Sequence, residues 1–370
     1  MKTDTVSSDE KCLTLCDSNT AGNKHTKSLW QKVRELKFSE VRKAIPKDCY
    51  VRSMWLNFCW GFFDLFLLTI GLVFVFAGTS IIAKLLGGTI FGIAAALMFI
   101  WAHDAAHGAL FKSKKTAAIL GTLFMLPSFS VYRIWSYGHK VHHGFMSLTP
   151  LDVIWTPLSP QEYRRLSLRQ RVLYRVERNF FTCAVHYIRQ IWWKYTWRFN
   201  PGKDKTQRRY YRRGKIVVLA YMIIISGLGY YFFGGIIGVI ALFILPLIIF
   251  NYGIGLLVYL HHTHPDIPFF KQRNEWSPVV GALYCCTVVH LPKLTEIVLH
   301  NIMIHIPHHL DIRIPFYHLP KAHQALKEEY GSYFHEYTFK WRHIFNIFKQ
   351  CKLYDYESKL WLTFKEAKLV

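Results

Sequence analysis

Four long apolar stretches, near residues 55–77, 81–101, 216–233 and 236–260, constrain this chain more than any other feature. Each is close to the ~20 residues an α-helix needs to cross a bilayer. In hydrocarbon every backbone N–H and C=O must be paired within the segment, so helices are expected. The stretches come in pairs, separated only by Gly78-Thr79-Ser80 and by Gly234-Gly235. Connections this short leave room only for antiparallel neighbours, which predicts two hairpins. Asp64 falls inside the first stretch, where a carboxyl is costly and should face other helices. Lys84 stands near the start of the second and can snorkel to the surface. Pro246 is expected to kink the fourth. Residues 117–131 are apolar but too short to cross comfortably, and with Pro127 they read as an interfacial or re-entrant segment.

Charge orients the expected bundle. The chain has a formal net charge of +23, and apart from Lys84 its Lys and Arg avoid the apolar stretches. Of 46 such residues, 21 lie in the 102–215 loop, 11 in the first 54 positions and 13 after residue 260. The two hairpin tips carry none. By the positive-inside rule both termini and the large loop are cytoplasmic. No nucleic-acid fold signature accompanies the charge, so an anionic membrane face is the expected partner, not nucleic acid. Eight cysteines are scattered without a paired framework, as expected of reduced thiols. Residues 1–27 are polar and read as a disordered cytoplasmic tail preceding one domain over 28–370. Ser28 offers a helix cap, and Leu29, Val33, Leu36 and Val41 recur at roughly helical spacing. That helix could lie on the membrane or pack on the rest of the protein.

Within this frame the histidines carry the chemistry. His103 and His107 form an H-x-x-x-H pair, and two H-x-x-H-H boxes stand at His139, His142, His143 and at His305, His308, His309. Residues three or four apart share a helix face, so each box can point its rings together. Pro307 fits only the first turn of such a helix. Adjacent histidines diverge by about a third of a turn, so His142 and His143 could serve different ions. Eight imidazoles exceed the needs of one ion and argue for two. Imidazole suits Zn, Cu, Fe and Ni. A hydrolytic zinc site would usually pair H-E-x-x-H with a glutamate base, whereas the first box holds Asp104. An oxygen-activating dinuclear iron site fits the ligand count better. His261, His262, His264 and His300 stand nearby in sequence, and His264 and His300 are the preferred candidates for extra ligands or supporting residues. The four spans place all three boxes on one side.

These residues carry a resemblance. HDAAH, HKVHH and HIPHH, with KAIPKDCYVRS at 43–53, YLHHTHP at 259–265 and KQCKLYD at 349–355, are similar to the membrane fatty acid desaturases of the acyl-lipid omega-6 (delta-12) group. Ala105-Ala106 departs from the Cys-Gly of many relatives. His305 in place of Gln, and no H-P-G-G haem signature, set the chain apart from desaturases with a fused cytochrome. The resemblance implies an all-α integral membrane fold, with four transmembrane helices under a cytoplasmic helical cap that holds the site. It implies two non-haem Fe ions held by the eight box histidines, with O2 as co-substrate. Electrons would come from an external ferredoxin or b-type cytochrome, and the substrate would be an acyl lipid or other fatty-acyl group. A related diiron oxygenase, either an acyl hydroxylase or a carotenoid ketolase or hydroxylase, is the alternative. Trp135, Tyr137, Trp192, Trp193 and Trp197 are candidates for an acyl channel or for the aromatic belt.

Overall fold

The computed structural model describes residues 29–202 and 205–369, and the expected tail and the Ser28 cap lie outside them. The described chain is mostly helical. Four of its helices are long and apolar enough to cross a membrane: α1 (Met54–Ala77), α2 (Ile81–His107) and, further along, Lys205–Phe232 and Ile236–His262. They match the four apolar stretches, but two extend well past them. α2 runs six residues beyond the expected end, carrying its helix through His103 and His107. The helix before Phe232 starts in the basic run, so Arg208, Arg209, Arg212 and Arg213 are helical.

Local chemistry sets the ends. Ser53 and Ser80 each accept a hydrogen bond from the backbone N–H three residues on, capping α1 and α2. Gly108 closes α2 in the left-handed region at φ 72°, where a residue without Cβ is at no disadvantage. A Cβ on Gly87 would sit 2.6 Å from the Gly71 carbonyl oxygen, and one on Gly88 would sit 2.4 Å from that of Ala241. Small residues thus bring α2 into backbone contact with helices on two sides, the usual way that spans associate without a hydrophobic drive.

The segment expected to be interfacial is bent. α3 (Lys114–Met125) and a short turn at Leu126–Ser128 meet α4 (Tyr132–Gly144) at 96°. The region between α4 and the third span, read as a polar loop, contains further helices, including the wide-turned α5 (Tyr187–Trp197). The third and fourth spans are α6 and α7. A wide turn at Ile240–Ile244 precedes Pro246 within α7, as expected where proline removes a backbone donor.

After α7 the chain forms β1 (Thr287–His290), α8 (His305–Leu310), α9 (Leu319–Tyr330), β2 (His335–Thr338) and α10 (Trp341–Gln350). β1 and β2 pair in parallel, Thr287 opposite His335. Glu336 clasps this pair, accepting from His290, His323 and Lys327, while the other ring nitrogen of His290 faces Glu296 at 3.3 Å. The Met303 carbonyl accepts from Val289 N–H at 3.1 Å and ties β1 to the approach to α8. At the N-terminal side, residues 29–35 and Phe38–Lys43 are helical. Trp30, Val33 and Val41 are buried, and Trp30 meets Phe270 edge-on at 5.3 Å. Of the two expectations for this segment, packing on the protein is the one observed.

Candidate metal centre

Two short helices and the ends of two spans deliver ten imidazoles to one place. The last turn of α2 brings His103 and His107, and α4 brings His139, His142 and His143. α8 brings His305, His308 and His309, with Pro307 in its first turn as the sequence requires. The fourth contribution is the end of α7. That helix continues to His262, two residues past the expected limit, and turns His261 and His262 inward.

The rings fall into two neighbouring groups. His103, His107, His139, His143 and His308 each offer a nitrogen within 4.8 Å of the others. His142, His262 and His309 form a second group, which shares His262 with a triad of His261, His262 and His305. The Nε2 atoms of His139 and His143 are 3.0 Å apart, and those of His143 and His308 are 3.2 Å apart. The His142–His262 pair of the second group closes to 3.3 Å, and His309 of that group stands 3.0 Å from His305 of the triad. His143 and His309 stack at 4.0 Å between ring centres and join the groups.

Several rings are locked from behind. His103 Nδ1 lies 2.9 Å from Asp104 Oδ1, and the other carboxylate oxygen accepts from Phe316 N–H. His142 Nδ1 lies 2.9 Å from Asp152 Oδ1, and Asp152 also accepts from the N–H groups of Ser147 and Ile154. His305 Nδ1 donates to the Ile302 carbonyl at 3.2 Å. Each contact fixes the proton on Nδ1 and leaves the Nε2 lone pair facing the group. Burial, reinforced by neighbouring imidazoles, holds His305, His308 and His309 well below the usual histidine range. They are therefore neutral, the form that ligates metal.

The donor set fits a pair of metal ions. Both ring nitrogens of His107 are buried without a protein hydrogen-bond partner. Unpaired buried nitrogens are costly, and facing Nε2 lone pairs repel unless a cation lies among them. Neutral imidazole suits first-row transition metals.

Two of the sequence candidates stand elsewhere. His264 leaves the helix after Thr263 and groups instead with Asp266 and His335. His300 is fully buried with Nε2 3.1 Å from Asp64 Oδ1, which supplies the partner expected for that intramembrane acid. Conversely, His261 and His262 join the centre although the sequence reading set them behind His264 and His300. Their adjacency, like that of His142 and His143, was the available signal.

A cavity of about 280 Å³ opens against both groups. His103, His139, His142, His261, His262 and His305 form its polar end, and residues such as Phe99, Ile134, Leu151, Ile191, Ile254 and Leu257 form apolar walls. Trp135 and Tyr137 also line it, whereas Trp192, Trp193 and Trp197 lie outside. The Trp192 indole N–H donates instead to the Phe129 carbonyl at 2.8 Å.

Apolar spans, a polyhistidine centre near their ends and an apolar cavity beside it are the parts of a membrane-type metalloenzyme site open to an apolar substrate. A family model described as fatty acid desaturase matches residues 79–341. The chain belongs to the fatty acid desaturase family. It is 29% identical over 259 residues to an sn-1 oleoyl-lipid 12-desaturase of Picosynechococcus, covering 70% of this chain and 73% of that one. It is 31% identical over 273 residues to a chloroplastic omega-6 fatty acid desaturase of Arabidopsis thaliana, covering 72% of this chain and 58% of that protein's length. An sn-1 acyl-lipid omega-3 desaturase (ferredoxin) of Synechocystis is 27% identical over 323 residues, covering 84% of this chain and 86% of the relative.

Proposed function

We propose that the protein is an O2-dependent acyl-lipid desaturase that places a cis double bond in a monounsaturated acyl chain, of omega-6 (delta-12) type. The observation that carries this reading is the apolar cavity ending against both histidine groups. Two non-haem irons would be held by the eight box histidines, one by His103, His107, His139, His143 and His308. The other would be held by His142, His305 and His309 with His262. Supplied with O2 and external electrons, such a pair provides an oxidant able to take hydrogen from an unactivated methylene.

The protein's own residues do the positioning. Ile134, Leu151, Ile191 and Leu257 remove the acyl chain from water, and the histidine end of the cavity determines which carbon pair is presented. Asp104 and Asp152 keep His103 and His142 in one tautomer through turnover. His305, His308 and His309, held neutral, keep their lone pairs available at any pH near neutrality. The name of the Synechocystis relative supports ferredoxin as the donor, with a b-type cytochrome the other choice. The uneven charge supports two hairpins whose histidine-bearing cap and termini are cytoplasmic.

The test is expression in a host rich in monounsaturated lipid, followed by mass spectrometry of the released fatty acids. The expected product is a diene, dependent on O2 and an electron donor. A product that has gained oxygen would make the enzyme a hydroxylase, and altered carotenoids with unchanged acyl chains would move it to the carotenoid enzymes.

A further inference from the structure

One more set of imidazoles converges outside the paired groups, and nothing in the desaturase chemistry uses it. His264, Asp266 and His335 each offer a ligand atom within 4.8 Å of the other two. His264 Nδ1 lies 3.5 Å from Asp266 Oδ2. Two further imidazoles surround His264, with ring centres 5.5 Å away for His335 and 5.8 Å for His343. The four residues come from three separate pieces of chain: the loop leaving α7, β2, and the first turn of α10.

Ring packing alone is the simpler explanation, since His264 also lies against Tyr337 and His335 against Tyr284. Packing, however, needs only rings. It does not account for His335 Nε2 and His343 Nε2, both buried with no protein hydrogen-bond partner. A buried nitrogen left unpaired costs stability, and native proteins seldom tolerate two together. Three imidazoles beside one carboxylate form the nitrogen–oxygen donor set that suits tetrahedral zinc.

We propose that His264, Asp266, His335 and His343 form a third metal site, separate from the box centre, that takes a divalent transition metal, zinc in the cell. Its place in the chain gives it a structural task. It clips β2 and α10 to the loop that starts directly after His262, so the C-terminal segment braces the end of α7.

The experiment is metal analysis of the full-length protein, purified in detergent from cells grown with iron and zinc. Wild type should hold about one zinc per chain besides its iron, as expected for a closed structural site. His335→Gln and His343→Gln should each lose the zinc and keep the iron, the retained iron reporting an intact fold. His308→Ala should lose iron and keep zinc. Cobalt(II) introduced in place of zinc should give the visible bands of a four-coordinate ion, absent in His335→Gln. If iron falls together with zinc in both histidine variants, the exposed Asp266→Asn decides: weakened zinc binding supports the site, and unchanged binding overturns it. Zinc missing from wild type, zinc unaffected by both histidine variants, or zinc lost with His308→Ala would each overturn the proposal. The last result would place the zinc in the box centre.

Discussion

The Asp64–His300 pair joins the middle of a span to the loop five residues before His305, and its removal should be felt in both stability and catalysis. Both side chains have zero exposure, so no water takes over when one partner is lost. The His300 ring also stacks on Phe316 at 4.7 Å and meets Trp60 edge-on at 5.1 Å. Leucine is therefore the appropriate replacement, since it keeps most of the packing. His300→Leu strands a buried carboxyl, a change expected to cost about 3–5 kcal/mol. Asp64→Leu strands only a ring nitrogen, which should cost ~1–3 kcal/mol. The double variant leaves no orphaned polar group and should recover most of the larger loss. At ~2–4 °C per kcal/mol for a chain of this size, His300→Leu should lower Tm by roughly 6–20 °C in detergent, with the double variant in between. His300→Leu should also reduce diene formation in cells, because the loop that delivers His305 is no longer pinned to α1. A His300→Leu protein within about 2 °C of wild type, or a double variant less stable than both singles, would refute the buried-pair reasoning.

Removing the carboxylate behind His142 with Asp152→Asn should weaken iron retention or turnover by ~10–100-fold, with little change in far-UV circular dichroism. Metal analysis and product yield measured on one sample check this. The β1–β2 clasp should make stability pH-dependent. Hydrogen bonding to Glu336, and then to Glu296, raises His290 above its ordinary value of 6.5. A raised folded value means the stabilisation is fully present below 6.5 and is lost as pH rises through the folded value. Wild type should therefore lose Tm between about pH 6 and pH 9 by more than His290→Gln does, and equal slopes would exclude the clasp. Glycosylation tags at 78–80 and 234–235 should report the non-cytoplasmic side and a tag near Arg178 the cytoplasm. Tags at Arg178 and the C-terminus on opposite sides would rule out the four-span arrangement.

Much of this architecture was legible because two strong periodicities carry it. Long apolar runs have few alternatives in hydrocarbon, and i, i+3, i+4 histidines on helices have few ways to point. Pro307 and the Gly78–Ser80 link obeyed local rules that read directly. What escaped depended on where a helix stops. Whether α7 ends at Leu260 or His262 decides if His261 and His262 face the centre, and packing against β1 and α8 settles it, not propensity. The same two residues of helix send His264 out toward His335. The β1–β2 pair was invisible for another reason: its strands are short, parallel and more than forty residues apart in sequence. Asp64 announced that it needed a partner, but only the folded chain could name His300.

The adjacency of His142 and His143 has a mechanical consequence. One belongs to each histidine group, and they are separated by a single peptide unit of α4. The offset between the groups is therefore set largely by the pitch of one helix and not by how distant parts of the chain dock. Breathing of the segments outside the spans, a change of lipid thickness or substitution in the cavity walls can slide an acyl chain relative to the histidines. None of these easily alters the separation of the two groups. Substrate preference can accordingly drift by mutation of the walls while the reactive geometry stays in calibration, and the short α4 serves as its gauge block.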